Sequence, residues 1–246
     1  MFYSSLRLAI FEIQKRSLNT YAGWTWSLMN PLSQMAILYF IMTHVFKSNI
    51  ENILLWLISG LNCWIVIQSA LLRSCQSLIS RRALLQNNNI SHNLLVMSDI
   101  LSEVIILIPF YFIAIALAIF HHVPVFNLLL VPVLMIILLI FLFGLGMILA
   151  TLTPVLRDLP YLMGIFLQIA FWLTPIAYAK SAMTGLAASI ISFNPFTYFI
   201  LLSQSLFMGD PVSLKLVAIP TVLAVITVSL GFMLSNAVGK KTVINL

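Results

Sequence analysis

Charge is what this sequence has least of. Of 246 residues only 7% are charged, 12 as Lys or Arg and 6 as Asp or Glu, where soluble globular domains carry roughly 25%. With 62% hydrophobic residues and a mean hydropathy of +1.10, a soluble domain is excluded. The chain has two cysteines, Cys63 and Cys75, in no C-x-x-C spacing and beside no His, so neither a disulfide framework nor a thiolate metal site is expected. H-E-x-x-H, a nucleophile elbow and a clustered set of metal-ligating residues are also missing. The tail GKKT, Gly239 to Thr242, lacks the earlier glycine and the Lys-Ser/Thr order of a phosphate loop. No cofactor is therefore expected on this chain.

Other absences narrow the architecture. A membrane barrel needs segments of about ten residues with alternating polarity, and the sequence offers long continuous apolar runs instead. An all-helical membrane protein is the expectation. Basic residues interleaved with aromatics on a soluble face are missing, which argues against nucleic acid. The N-terminal stretch has no uninterrupted apolar core before a small-residue cleavage site, because Arg7, Glu12, Lys15 and Arg16 break it, so it does not read as a signal peptide.

What is present is apolar sequence in span-sized pieces. Crossing a hydrocarbon core of about 30 Å takes roughly 20 apolar residues in a helix. Six segments qualify: 31–47, 53–73, 100–120, 127–152, 160–179 and 215–237. Ahead of them, residues 1–20 form an amphipathic pattern at 100° per residue, with Phe2, Tyr3, Leu6, Ala9, Ile10 and Ile13 on one face. A helix lying in the membrane interface, basic side chains toward headgroups, fits it. With an inside N-terminus, nine Lys and Arg fall in cytoplasmic segments and three (Lys47, Lys180, Lys215) outside. That bias places both termini in the cytoplasm.

Two connections differ from plain turns. Residues 82–95 form a polar, helix-compatible cytoplasmic stretch with Leu84, Leu85, Ile90, Leu94 and Leu95 as apolar anchors. Residues 182–210 are apolar but broken by Gly185, Asn194-Pro195 and Gly209-Asp210-Pro211. Two short helices that dip in and return are expected there, since such backbone is tolerated where protein or a cavity surrounds it.

Four segments, in order along the chain, resemble one known family. GWTWSLMNP, Gly23 to Pro31, is similar to a pattern LGxxWxxLNP before the first span, and Arg16 matches a basic residue seven positions earlier. PVLRDLPYL, Pro154 to Leu162, resembles an RD motif before the fifth span. FWLTPIAY, Phe171 to Tyr178, is similar to a pattern FFxTPIxY that closes it, and FNPFTYF, Phe193 to Phe199, resembles an NP segment before the last span. These residues resemble the membrane-spanning permeases of ATP-binding-cassette exporters for polysaccharides such as O-antigen, capsule or teichoic acid. The sequence departs from that pattern twice. Gln86, Asn87 and Ser91 stand near a common Lys pair and Pro, and no Arg follows the NP segment.

The resemblance implies a homodimer with the glycan path at its interface, set in the bacterial inner membrane. It also implies two copies of a separate nucleotide-binding subunit that carries ATP and Mg, so this chain is not an enzyme on its own. Leu84, Leu85, Gln86, Asn87 and Ile90 then couple to the ATPase, while Arg16, Gly23, Trp26, Arg157 and Asp158 belong to the gate and its edges. Aromatic rings stack on sugar C–H faces, which makes Tyr39, Trp56, Trp64, Tyr161, Phe166, Trp172 and Tyr178 candidates for the path. The plainer roles for them are lipid contact and packing.

Asp99 and Glu103, one helical turn apart, are the remaining chemistry-bearing pair. Intramembrane acids usually signal function, but at a membrane edge they fit structural pairing with Arg73, Arg81 or Arg82. Two alternatives stay open at this point. An intramembrane enzyme acting on lipid-linked sugars would need Asp99, Glu103 and Arg157 to converge, and a proton-coupled carrier would need ionisable groups at mid-bilayer. His121-His122, in a short outward loop without an acid or Cys partner, reads as a solvated turn.

Overall fold

A computed structural model describes residues 2–17, 25–48, 50–81, 91–180 and 183–244. The described residues form helices joined by turns. In chain order these are α1 (Phe2–Ser17), α2 (Trp26–Phe40) with a π-helical continuation (Ile41–Val45), α3 (Ile53–Ser80), α4 (His92–Phe120), α5 (Val125–Leu129), α6 (Val131–Leu152), α7 (Leu159–Trp172), α8 (Gly185–Phe193), α9 (Pro195–Met208) and α10 (Leu214–Ile244).

Four stretches are long and apolar enough to cross a membrane: α3, α4, Val125–Leu152 (α5 with α6), and Leu214–Ala237 within α10. The pair α8 and α9, bent by 91° at Asn194, counts as a fifth if it is one broken span. The expected first and fifth spans do not appear as single long α-helices. α2 ends at Phe40 and continues as a π-helical turn, and α7 stops after 14 residues at Trp172. The stop has a local cause. Pro175 lacks an N–H, and a residue before proline is pushed toward extended backbone.

Two helices extend past the expected spans. α3 continues to Ser80, beyond residue 73, and α4 starts at His92, ahead of residue 100. Residues 92–95 are thus the first turn of α4, not the end of a separate helix. Leu95 is fully buried in the core, so it is no surface anchor. Residues 82–90, which carry Leu84, Leu85, Gln86, Asn87 and Ile90, lie outside the described residues, as does Gly23.

α3 is the hub. It packs against α2, α4, α6, α7 and α9, and its buried residues include Leu57, Ile58, Leu61, Trp64, Val66, Ile67 and Leu71. In a bilayer, where lipid tails are as apolar as leucine, helices associate through close packing of small residues. α6 and α10 use that device. A Cβ at Gly144 would lie 2.3 Å from the backbone of Thr227 and Val228, and one at Gly231 would lie 2.7 Å from the Gly144 carbonyl oxygen. The Thr227 hydroxyl donates to the Phe141 carbonyl at 3.3 Å. Backbone, not a flexible side chain, occupies the space, so Gly144→Leu is expected to force α6 and α10 apart. Overpacking of a fitted interface costs typically about 1–3 kcal/mol. Thermal unfolding of the detergent-solubilised chain should move down clearly for Gly144→Leu and little for Gly164→Leu, since a Cβ at Gly164 meets nothing within 4 Å.

Candidate functional site

The first feature is a cluster of six charged side chains where α1, α3 and α4 meet. Arg16 of α1 pairs with Glu103 of α4 and donates to the Ser102 hydroxyl at 3.0 Å. Arg81, at the end of α3, pairs with Asp99 of α4 and donates to the Ser98 hydroxyl at 3.1 Å. Arg73 and Glu12 are shared members. Arg73 lies 3.4 Å from Glu12, 3.4 Å from Asp99 and 3.5 Å from Glu103, and Arg81 lies 3.4 Å from Glu12. Three cations face three anions. The Asp99 side chain is 1% exposed and that of Arg81 8%, and charges so buried persist only when paired.

The cluster explains how α1 sits. Its buried residues are Ser5 and Ala9, with Leu8, Glu12 and Arg16 half-buried on the same side. This face packs along α4. Tyr3, Ile10 and Phe11 are the exposed apolar residues. Part of the interface-helix expectation is therefore corrected. Arg16 turns inward to a carboxylate instead of outward to headgroups, because pairing with the buried Glu103 outweighs a screened lipid contact. Of the expected partners of Asp99 and Glu103, Arg73 and Arg81 are present, and Arg82 lies outside the described residues. Arg157 is not among the cations that pair with them. Glu12 was not anticipated, although its i, i+4 spacing to Arg16 puts both on one helical face.

Two openings flank the cluster. A cleft of about 190 Å³ is lined by Glu12, Lys15, Arg73, Gln76, Ser80, Arg81 and Asp99. A cavity of about 370 Å³ between α2, α3 and α4 is lined by Trp26, Ser27, Asn30, Pro31, Ile65, Ser69, Glu103, Ile106 and Leu107. Arg157 and Asp158 are exposed in the turn between α6 and α7, where the Asp158 carbonyl accepts from the Tyr161 and Leu162 amides at 3.1 Å each.

The second feature joins the TP and NP segments. After α7 the chain passes through residues 173–178 without regular helix, yet Thr174, Ile176 and Ala177 are buried. Carbonyls there need side-chain donors. The Trp56 indole donates to Ile176 O at 3.0 Å, and the Gln204 amide donates to Pro175 O at 3.0 Å and Ile176 O at 3.3 Å. Asn194 donates to the Thr174 hydroxyl at 2.8 Å, while its own carbonyl oxygen caps α9 by accepting from the Phe196 amide at 3.0 Å. Ser203 adds a bond to Ser59 O at 2.8 Å. The two motifs, far apart in sequence, thus lock each other and dock on α3.

The candidate path aromatics separate by placement. Trp64 is fully buried, its ring against Phe171 and Phe196 at 5.7 and 5.9 Å. Trp56 is half-buried and Tyr178 is held by its hydroxyl's bond to Trp172 O at 3.0 Å. Tyr39, Tyr161, Phe166 and Trp172 are exposed, as is Trp26.

Several apolar helices long enough to cross a bilayer, a charge cluster that ties α1, α3 and α4 together and a proline-broken segment held by side-chain amides define a multi-pass membrane protein. Its sequence matches the family described as ABC-2 type transporter over residues 6–208, and the chain belongs to that family. It is 27% identical over 233 residues to the O-antigen export system permease protein RfbA of Klebsiella pneumoniae, covering 92% of this chain and 88% of that protein. A second Klebsiella pneumoniae RfbA is 26% identical over 227 residues, with 92% and 88% covered. The Myxococcus xanthus RfbA is 24% identical over 201 residues, covering 80% of this chain and 76% of its own length.

Proposed function

We propose that the chain is the transmembrane subunit of an ATP-driven exporter that carries a polysaccharide, attached to a lipid, from the cytoplasm across the bacterial inner membrane. The observation that carries this is end-to-end similarity to O-antigen export permeases, 27% identical across 92% of the chain, in a member of the ABC-2 type transporter family. The nucleotide-binding subunit is a separate chain, and ATP and Mg sit on it. The 370 Å³ cavity beside Trp26 is a suitable size and chemistry for a sugar ring and the first part of a lipid tail.

Six crossings remain the preferred topology. α2 with its π-helical turn covers residues 26–45, about 30 Å at roughly 1.5 Å per residue. α7 would reach the far side through residues 173–178, and α8–α9 would return to the side they left. Both termini then lie in the cytoplasm. Introduced thiols at Ser48, His122 and Met183 should react with an impermeant reagent from outside, and thiols at Ser91 and Arg157 should not. Outside labelling at both Ser48 and Ser91 contradicts six crossings.

A second copy of the chain covers α2 and α7 in this reading. α7 leaves Tyr161, Leu162, Ile165, Phe166, Ile169 and Trp172 uncovered, and Gln168 is exposed on the same helix. A primary amide in hydrocarbon is costly, so protein or a polar path suits that face better than lipid tails. The 82–90 connection is the place where the ATPase docks. Leu85→Asp with Ile90→Asp should leave the chain inserted and lower ATPase co-purification and stimulation by well over tenfold, about 1.4 kcal/mol or more. Normal stimulation by the inserted double variant rules that docking site out. If the wild-type chain neither co-purifies with a soluble ATPase nor stimulates it, the exporter reading itself fails.

A further inference from the structure

The six-charge cluster contains contacts of two kinds. Arg16–Glu103 and Arg81–Asp99 are close pairs, each with a serine hydroxyl beside the guanidinium. The four contacts made by Arg73 and Glu12 or between Arg81 and Glu12 all lie at 3.4–3.5 Å, longer than the roughly 2.7–2.9 Å of a well-formed charge-assisted hydrogen bond. The close pairs hold α4 to α1 and to the end of α3. Of the long ones, the two made by Glu12 reach from α1 to Arg73 and Arg81 on α3, and the two from Arg73 to Asp99 and Glu103 add to the α3–α4 contact, while the backbone of α1 runs along α4.

The surroundings of the loose members favour exchange. They border the 190 Å³ cleft, which also holds Lys15, Gln76 and Ser80. The buried Asp99 carboxylate borders this cleft, with the Ser77 hydroxyl as a hydrogen-bonding neighbour and Arg73 at 3.4 Å. Lys15 is exposed and three residues beyond Glu12, near enough on one helix to take over that carboxylate. The exchange leaves no carboxylate without a cation, since Glu12 gains Lys15 while Asp99 and Glu103 keep Arg81, Arg16 and Arg73, so the penalty for stranding a buried ion is avoided.

Position supplies the purpose. Arg81 immediately precedes the 82–90 connection, and Asp99 lies two turns into the helix that follows it. A push on that connection therefore reaches Arg81, Glu12 and Arg73 directly. We propose that this cluster is a hinge coupling α1 to both ends of the 82–90 connection, with Arg16–Glu103 as its pivot and Glu12 and Arg73 as its exchangeable contacts. The proposal rests on the exporter reading, in which a nucleotide-driven partner does the pushing. When α1 rocks, Glu12 passes from Arg73 and Arg81 to Lys15, and Arg73 settles on Asp99 and Glu103. Ser4, twelve residues from the pivot, sits on a lever of about 18 Å and moves most.

The test measures that movement. Spin labels at Ser4 and Ile79, both exposed and outside the cleft, report the α1–α3 separation in the complex with the ATPase. Dilution with unlabelled chain isolates intrachain pairs. ATP binding should shift the distance distribution by several ångström, on the scale an 18 Å lever allows. Arg16→Glu should abolish the shift, Arg16→Glu with Glu103→Arg should restore it, and the milder Glu12→Gln should shrink it with the folded yield unchanged. An unchanged distance in the wild-type complex on ATP binding, or a full shift in Arg16→Glu, overturns the hinge. A complex that shifts but moves no glycan leaves the hinge standing and removes the substrate. Glycan export without any shift removes the hinge alone.

Discussion

Replacing Arg81 with leucine is expected to destabilise the chain more than any other single change in the charge cluster, by about 3 kcal/mol, because it strands a buried carboxylate. The Asp99 side chain is 1% exposed, and after the change its remaining cation among the described residues is Arg73 at 3.4 Å. Removing both partners should hurt less than removing one, since an apolar pair of similar volume needs no compensation. Arg81→Leu with Asp99→Leu should recover at least half of the loss. Thermal unfolding of the purified chain, followed by tryptophan fluorescence, reads both values. A double variant as unstable as the single one would mean that Arg81 contributes by packing its stem rather than by neutralising Asp99.

Gly164→Trp is expected to do the opposite, sparing the fold and abolishing export. Beyond the backbone of its own helix turn and its chain neighbours, nothing lies within 4 Å of a Cβ at that position, and the neighbouring Tyr161, Ile165 and Phe166 are exposed. The indole therefore fits on an isolated protomer. If a second copy and the glycan path cover this face, the added ring blocks one of them, and export should fall on the order of a hundredfold, about 2.7 kcal/mol. Val225→Trp supplies the control, because Val225 is 59% exposed on α10, away from α7, and should export normally. Buried Leu167 supplies the other, since a tryptophan there should lower the folded yield. Normal export by Gly164→Trp places the second copy on another face.

What could be read in the sequence followed from which signals water and lipid impose. The apolar runs behind α3, α4, α6 and α10 were visible because hydrocarbon leaves no alternative to satisfied helices. Their polar ends were not. Arg73 to Ser80 looked like a boundary, but the helix continues because Arg73 and Arg81 find carboxylates on α1 and α4. α1 shows the same difficulty in another form. Its apolar face was legible, yet the face that packs holds Ser5, Ala9, Glu12 and Arg16, and no hydrophobic periodicity marks an ion-paired contact. The TP and NP segments were recognisable as breaks. That Asn194 holds Thr174 and Gln204 holds Pro175 depends on a fold-back that local spacing does not encode. The approach of Gly144 to Thr227 was equally silent, since a lone glycine in a span carries no periodic pattern.

In the proposed cycle this chain carries a polysaccharide outward at the expense of ATP hydrolysed by a partner. The most direct measurement places the purified chain and its ATPase in vesicles with a radiolabelled lipid-linked polysaccharide on the ATPase side, and follows protection of the label from an added glycosidase. Label should become protected only when ATP is present, and Gly164→Trp vesicles should protect none beyond background. Protection that is the same with and without ATP, in vesicles where the ATPase is turning over, would contradict it.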